Sequence, residues 1–267
     1  MDGLYRETER PLKLPGEIEP ALSGFTTSGE NYKTASESDV FRYTSSDQTV
    51  FLKIQGQTWS PPLSRERDAM VWLADKLSVP EVVAYHRDGD REYLITTAIE
   101  GISSENDECH GDKQHLVESL AEALLTIHAL PIDDCPIDKT PDALLDEGRR
   151  RIDDGIVTEE MVVEVGLSGS PSEALDGLAA RRPDLDRPVF THGDYCLPNI
   201  MIHDNAVSGF IDLGYAGSGD PYRDYKAARY SVKRNLGEEW VGPFFEAMGV
   251  TLDMQRINWY GEIEAFG

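Results

Sequence analysis

Three polar side chains in residues 190–214 have the types and the spacing needed to bind a divalent cation. Asp194 and Asn199 lie on one predicted loop, and Asp212 closes a predicted hairpin that begins at Asn199. The hairpin folds Asp212 back toward the loop, so that three oxygen ligands converge. In phosphoryl-transfer sites, Mg²⁺ is held by one or two such side chains together with phosphate oxygens. This stretch therefore predicts a magnesium site for phosphoryl transfer.

The same spacing matches the division of labour found in kinases. There the first Asp accepts the proton of the attacking hydroxyl, while the Asn and the second Asp hold Mg²⁺ on the nucleotide. We therefore predict that Asp194 is the catalytic base and that Asn199 and Asp212 are metal ligands. Either Asp alone would be typical of a cap or a turn, but the combined pattern favours catalysis. His192 is expected to pack and hydrogen-bond the loop rather than to act as a base.

A cation for the nucleotide phosphates is expected from a predicted strand at residues 49–54. Lys53 lies there among apolar neighbours, where a lone Lys costs desolvation energy unless a phosphate or a carboxylate meets it. Glu66, on a helix predicted at 63–77, is the natural carboxylate partner. The alternative is an exposed Lys on an edge strand.

Strands around one helix are predicted for the first third of the chain, and helices for most of the rest. The strands are predicted at residues 25–29, 39–43, 49–54, 82–85 and 92–96. The later helices are predicted at residues 116–130, 142–153, 172–181, 222–235, 238–248 and 254–265. One hairpin, with strands at 199–203 and 207–212, lies between these helices.

This order predicts an α+β, two-lobed, protein-kinase-like fold. Residues 1–98 would form a small β-rich nucleotide-binding lobe, and residues 99–267 a larger, mostly helical lobe for catalysis and substrate binding. A hinge is expected at about residues 97–101. Ligands commonly bind in clefts between lobes.

The charge of the chain limits its partners. It carries 49 acidic and 25 basic residues, a net charge of −24. A field this negative repels nucleic acid and anionic membranes, so neither is expected as a partner. Two explanations remain open: adaptation to a salt-rich cytoplasm, or attraction of a cationic small molecule. The acids are spread along the whole chain, which favours salt adaptation.

The chain is expected to be a cytoplasmic protein. No apolar run approaches the roughly 18 residues needed to cross a bilayer, and the polar first ten residues do not resemble a signal peptide. The three cysteines are widely spaced, which suits a reducing compartment. Cys196 lies in the predicted catalytic loop without an activating His–Asp arrangement, so no nucleophilic role is predicted for it.

These motifs resemble those of the aminoglycoside 3'-phosphotransferases, within the wider group of eukaryotic-like small-molecule kinases. The resemblance rests on THGD at 191–194, LPNIM at 197–201 and SGFIDLG at 208–214, and it extends over nearly the whole chain. It implies ATP and Mg²⁺ as cofactors, with Asp194 as the base. It also implies a set of further nucleotide contacts. These are Ser36 at the β-phosphate, Phe51 stacked on adenine, backbone groups of Thr97 and Ile99 at the adenine edge, and Lys53 with Glu66 at the phosphates.

The expected substrate contacts depart from those of the family. Arg234 and Asn235 stand where relatives that take aminoglycosides carry an acidic pair, and a buried Arg234 would repel an ammonium group. Near the end of the chain, Glu264 is followed by Ala265 where a second acid is usual. Glu160 and Glu164 are further candidate ammonium contacts.

The resemblance therefore implies transfer of the ATP γ-phosphoryl group to a hydroxyl of a small, sugar- or amine-bearing molecule. An aminoglycoside is the preferred acceptor, and an endogenous sugar or amino alcohol is the alternative. A nucleotide-binding module without turnover is disfavoured, because Lys53, Asp194, Asn199 and Asp212 are all present. A protein kinase is disfavoured because no Ala-Pro-Glu segment follows Asp212.

Overall fold

The structure of the protein, a computed structural model, describes residues 6–7, 13–31, 38–56 and 60–267. The chain divides into two compact units, Met1–Glu100 and Gly101–Gly267. Within the described residues, no helix has both the length and the apolar character required to span a membrane.

A six-stranded antiparallel sheet forms most of the first unit. Its spatial order is β1-β2-β3-β4-β6-β5. The strands are β1 (Arg6–Glu7), β2 (Glu30–Asn31), β3 (Asp39–Thr44), β4 (Thr49–Gln55), β5 (Val82–Asp88) and β6 (Arg91–Thr97). One helix, α1 (Leu63–Leu73), packs against β5 and β6.

Alternation along β4 explains how the sheet builds its core. Val50, Leu52 and Ile54 point into an apolar cluster, while Lys53 between them points to the other face and is only partly buried. Successive side chains of a strand face opposite sides, so the ammonium group of Lys53 lies on the face of the sheet opposite the apolar core. Burial of Val50, Leu52 and Ile54 stabilises the sheet by about 1.5–3 kcal/mol for each side chain.

One predicted strand of this unit is wrong, and one predicted helix is shorter than expected. The strand predicted at 25–29 is reduced to a single bridge between Thr26 and Thr44. The side chains of Thr27 and Ser28 accept hydrogen bonds from nearby backbone N–H groups, and such local bonds compete with a strand ladder. The helix predicted at 63–77 ends at Leu73, because the chain then tightens into a turn whose Lys76 N–H bonds the Leu73 carbonyl.

The second unit is mostly helical, with two small sheets. The helices are α2 (Lys113–His128), α3 (Pro141–Asp153), α4 (Glu159–Glu164), α5 (Pro171–Ala180), α6 (Tyr222–Asn235), α7 (Val241–Ala247) and α8 (Met254–Glu262). The sheets have the orders β11-β10-β7 and β8-β12-β9. Their strands are β7 (Ile102–Ser103), β8 (Asp138–Lys139), β9 (Val189–Thr191), β10 (Ile200–His203), β11 (Ala206–Phe210) and β12 (Gly217–Gly219).

Two helices of this unit are shorter than predicted. The helix predicted at 238–248 is a 3₁₀ turn, Glu238–Trp240, followed by α7. The helix predicted at 254–265 ends at Glu262 and continues as a 3₁₀ segment, Ile263–Phe266, which we call the terminal segment. Helix ends often tighten in this way because their last carbonyls lack i+4 partners.

Candidate active site

The hairpin of β10 and β11 brings Asn199 and Asp212 toward each other. Its turn residues Asp204 and Asn205 have positive φ values of 49° and 61°, as a tight two-residue hairpin requires. Ile200 pairs with Phe210, and the N–H of Ile211 donates to the Asn199 carbonyl at 2.9 Å. Asp212 is the next residue and itself has a φ of 62°, an unusual backbone conformation for a non-glycine residue that often marks a functional site.

The Asp194 carboxylate is oriented by two side chains of its own loop. The amide nitrogen of Asn199 donates to Asp194 Oδ2 at 2.9 Å and to the Asp194 carbonyl at 3.0 Å. The thiol of Cys196 donates to Asp194 Oδ1 at 3.0 Å. The structure therefore brings Asp194 and Asn199 together as predicted. With its nitrogen directed at Asp194, Asn199 keeps its amide oxygen for another partner.

A carboxylate that the sequence analysis missed anchors this loop. Asp224, near the start of α6, accepts hydrogen bonds from the backbone N–H groups of His192 at 3.0 Å and Gly193 at 2.7 Å. The imidazole of His128 lies 2.9 Å from the same carboxylate. Asp224 is fully buried. Its only signal in the sequence was a charged residue in the first turn of a predicted helix, which is typical of many helices.

Arg223, also missed, ties together the two segments that carry the site. Its guanidinium donates to the hydroxyl of Thr191 at 2.6 Å and to the carbonyl of Tyr215 at 2.8 Å. Thr191 precedes the loop that carries Asp194, and Tyr215 follows Asp212. Burial lowers the pKa of Arg223 from its usual value, while the Asp224 charge works against that shift. The guanidinium therefore links the loop that carries Asp194 to the segment after Asp212.

His192 hydrogen-bonds the loop, as predicted. Its Nε2 lies 3.1 Å from the Ile211 carbonyl, and its Nδ1 accepts the N–H of Asp194 at 3.4 Å. One tautomer, protonated at Nε2, satisfies both contacts. The ring also packs edge-on against Tyr195 and Phe210. These contacts make His192 a support for the loop.

In the first unit, Lys53 and Glu66 form the predicted ion pair. Lys53 Nζ lies 2.7 Å from Glu66 Oε1, and the Glu66 side chain is only 6% exposed. The alternative of an exposed Lys on an edge strand is wrong, because β4 lies between β3 and β6 in the sheet. The pair holds one ammonium group at a fixed position on this face of the sheet.

The remaining nucleotide candidates lie in β4, in β6 and in the connector after β6. Phe51 is half-buried in β4, and Ile99 is half-buried in the connector. The N–H of Thr97 already donates to the Glu81 carbonyl at 2.9 Å, so its carbonyl is the group left as a candidate for adenine. Ser36 lies outside the described residues.

The substrate candidates lie on α4, α6 and the terminal segment. Glu160 and Glu164 are exposed on α4, which packs against the terminal segment. Arg234 is exposed in the last turn of α6, where its side chain reaches solvent. The repulsion expected of a buried Arg234 is therefore weakened by solvent screening.

Asn235 and Glu264 are both engaged within the protein. The Asn235 amide nitrogen donates to the Ser231 carbonyl at 2.8 Å. The carboxylate of Glu264 forms an ion pair with Lys226 of α6.

The donor set at Asn199 and Asp212 fits Mg²⁺. Both side chains offer hard oxygen donors, and the Asn199 amide is already turned so that its oxygen is available. Among residues 13–31, 38–56 and 60–267, no group of three or more His, Cys, Asp or Glu side chains is placed to hold a metal ion. Phosphate oxygens of a nucleotide would complete a site of this kind.

Comparison with known proteins gives consistent results over most of the chain. Residues 32–260 match the model of the phosphotransferase enzyme family. An aminoglycoside 3'-phosphotransferase of Niallia circulans is 30% identical over 97% of this chain and 96% of its own length. One of Enterococcus faecalis is 32% identical over 84% of this chain and 88% of its own length.

Solved structures show the same fold. An aminoglycoside 3'-phosphotransferase of type VIII superimposes with a TM-score of 0.78 at 22% identity, covering 95% of this chain and 100% of its own. A Streptomyces rimosus aminoglycoside phosphotransferase in complex with ADP and streptomycin gives 0.69 at 26% identity, covering 91% and 92%. The predicted α+β, two-lobed, protein-kinase-like fold is confirmed. The chain belongs to the phosphotransferase enzyme family, and within it to the group of the aminoglycoside 3'-phosphotransferases.

Proposed function

We propose that this protein transfers the γ-phosphoryl group of ATP to a hydroxyl of an aminoglycoside. The observation that carries the proposal is the Asp194 carboxylate, oriented by Asn199 and Cys196 in a loop that Asp224 anchors. The names of the relatives support the acceptor class. The ADP bound in the Streptomyces rimosus structure supports the nucleotide.

Asp194 would act as the general base. As the acceptor oxygen bonds to the γ-phosphorus, the bond from that phosphorus to the bridging oxygen of ADP breaks, and Asp194 takes the hydroxyl proton. A base must point one oxygen at the hydroxyl throughout this step. The donors on both oxygens of Asp194 fix the plane of its carboxylate, which is the positioning that phosphoryl transfer requires.

Asn199 and Asp212 would hold Mg²⁺, and Lys53 would hold the nucleotide phosphates. When bound, the metal neutralises charge on the phosphate oxygens. Glu66 keeps the ammonium group of Lys53 in place through a short, nearly buried contact. The remaining candidates, Phe51, Thr97, Ile99 and Ser36, would surround the adenine and the β-phosphate.

A second candidate function is phosphorylation of an endogenous sugar or amino alcohol. It is favoured by the charges and pairing of the residues expected to contact the acceptor. Glu264 is neutralised by Lys226, and Asn235 is hydrogen-bonded within its own helix. Arg234 adds a positive charge at the same end of α6. A polycation needs several carboxylates to replace the hydration of its ammonium groups. An acceptor with a single amine or none needs fewer.

The test compares Asp194→Asn with the unmodified protein in an ADP-release assay over aminoglycosides, amino alcohols and sugars. Loss of the base should lower kcat at least about a hundredfold, while ADP affinity, measured by calorimetry, stays nearly unchanged. Asp204→Asn is the matched control. The Asp204 side chain is 92% exposed, and its positive φ is one that Asn tolerates.

Turnover of an aminoglycoside well above the other acceptors supports the proposal. Turnover confined to a sugar or amino alcohol would favour the second function. Near-normal turnover in Asp194→Asn would exclude Asp194 as the base. Nucleotide binding without turnover on any acceptor would favour a binding module.

A further inference from the structure

Lys226 of α6 forms an ion pair with Glu264 of the terminal segment. The Lys226 side chain is 25% exposed and the Glu264 side chain 52% exposed. Gly261 of α8 lies beside the pair, since a Cβ built there would be 3.9 Å from Cε of Lys226. The pair therefore joins α6 to the end of the chain at a solvent-accessible position.

The charges of this pair influence the pKa values of two side chains close to Asp194, Cys196 and Tyr215. Burial, followed by the Asp194 charge, raises the pKa of the Cys196 thiol, and the positive charge of Lys226 lowers it. Burial, again followed by Asp194, raises the pKa of Tyr215, with a smaller contribution from Glu264. Cys196 contacts Asp194 directly at 3.0 Å. The pair therefore lies within electrostatic range of the groups around Asp194.

An ion pair of this kind is easily exchanged. Solvent reaches both side chains and Glu264 is half-exposed, so water and salt screen the pair and it contributes little to stability. A ligand ammonium that approached Glu264 would meet a carboxylate whose charge is already compensated, and it would be repelled by Lys226. To gain Glu264 as a partner, the ligand has to displace Lys226.

We propose that Lys226 is a specificity-determining residue, an internal ammonium group that occupies Glu264 and competes with the ammonium groups of the acceptor. The inference rests on the proposed function, because it takes Glu264 as an acceptor contact. Lys226 thereby weakens the binding of polycations and leaves acceptors with few amines unaffected. Discrimination between these two kinds of acceptor arises from repulsion by Lys226 as well as from attractive contacts.

The first test is Lys226→Met, which removes the ammonium group and keeps an apolar stem. Kanamycin, a polycation, is titrated into each protein saturated with Mg-ADP, and its Kd is measured by calorimetry. The variant should bind kanamycin about fivefold more tightly than the unmodified protein, the upper range for an exposed pair. The Kd of ADP should not change.

Lys233→Met is the matched control. Lys233 lies on the same helix and pairs with Glu238 at 2.5 Å, with side chains 53% and 60% exposed. The substitution changes the net charge by the same amount but leaves Lys226 and Glu264 in place. It should change the Kd of kanamycin by less than about twofold. An equal gain from Lys233→Met would show that only the overall charge matters, and would overturn the proposal.

The second test is a double-mutant cycle with Glu264→Gln. Glu264→Gln should weaken kanamycin binding about fivefold when Lys226 is Met, and much less when Lys226 is present, because only the free carboxylate serves the ligand. Additive effects of the two substitutions would overturn the competition.

The outcomes separate this inference from the proposed function. Binding of kanamycin by Lys226→Met but not by the unmodified protein supports the competition and removes aminoglycosides as acceptors of the native chain. Equal binding by both proteins overturns the role of Lys226 but not the proposed function. Absence of binding in both overturns the competition and the aminoglycoside assignment together, whatever turnover the protein shows with other acceptors.

Discussion

Asp224 is a fully buried carboxylate whose ionisation depends on its partners. Moving a carboxylate out of water costs several kcal/mol unless hydrogen bonds and opposite charges offset the loss. Burial accordingly raises the pKa of Asp224, but the hydrogen bond from His128 and electrostatic attraction from His128 and Arg223 outweigh it, and the pKa is lowered. The backbone N–H groups of His192 and Gly193 thus bind an ionised acceptor, which makes these bonds stronger than neutral ones.

Asp224→Asn should destabilise the protein by about 3 kcal/mol, because it leaves buried donors facing an uncharged amide. It should also lower kcat, since the loop that carries Asp194 loses its anchor. Urea unfolding at neutral pH measures the first effect, and the ADP-release assay the second. Asp176→Asn is the control, as Asp176 is 67% exposed in a surface pair with Arg149. Equal stability of Asp224→Asn and Asp176→Asn would contradict this role.

The pH dependence of this effect has a defined sign. The pKa of Asp224 is lower in the folded protein than in the unfolded chain, so the folded state binds the proton more weakly. The stabilisation is fully present above the unfolded pKa of about 3.9 and is lost as the pH falls through the folded value. The difference between the unmodified protein and Asp224→Asn should therefore persist at neutral pH and shrink below about pH 4.

At the residue scale, local sequence predicted the candidate catalytic and metal-binding residues and missed the residues that anchor their loop. Asp194, Asn199 and Asp212 are recognisable because one loop and one hairpin connect them, and turn chemistry constrains such short connections. Asp224 lies 30 residues beyond Asp194 and meets the loop only through tertiary packing. The exposure of Arg234 was likewise not predictable, because it depends on which face of α6 packs against α8 and α7.

At the scale of elements, the pairing of β9 with β12 sets the position of the loop that carries Asp194. Thr191 pairs with Gly217, and the Thr191 hydroxyl donates to the Gly217 carbonyl at 2.9 Å. The chain leaves β9 through Gly193, whose φ is 82°. A Cβ at this position would lie 2.2 Å from the Tyr215 carbonyl oxygen and 2.8 Å from Nη2 of Arg223. The turn into the loop is therefore compatible only with glycine.

Gly193→Ala should lower the free energy of unfolding by at least about 1–2 kcal/mol, the cost of a positive φ for a residue with a Cβ. The overlap with the Tyr215 backbone adds to this cost and should displace Asp194, so kcat should fall too. Gly177→Ala is the control, because Gly177 lies within α5 with open space around it. There the same change should stabilise the helix by about 0.5–1 kcal/mol. Unfolding curves that shift in the same direction for both variants would contradict this account.

The strands of the second unit that the sequence did not predict are short and non-local. β9 and β12 have three residues each and pair residues that lie 26 to 30 positions apart in the chain. Strands of three residues are too short for a period-two pattern to be recognised. α6, by contrast, was predicted with the bounds that it has, Tyr222–Asn235. Its long run carries a sustained apolar periodicity, and Pro221 precedes it.

Charge is the feature that concerns the whole molecule. The net charge of −24 arises from 49 acidic residues against 25 basic ones, and many of the ion pairs among the described residues lie at the surface, such as Arg149 with Asp176 and Arg182 with Asp142. Surface pairs contribute about 0–1 kcal/mol each. They offset little of the repulsion among the unpaired carboxylates, so the folded state is expected to depend on screening by salt.

The last prediction follows from this repulsion. Salt shortens the Debye length from about 30 Å at 0.01 M to about 3 Å at 1 M, so the unfolding temperature should rise markedly between dilute buffer and molar KCl. Most of the rise should occur at the lower concentrations, where the Debye length changes most. Trehalose at matched osmolality is the control, because it favours compact states without screening charge. An unfolding temperature that is the same in dilute and molar KCl would refute salt adaptation and favour attraction of a cationic substrate as the reason for the acidity.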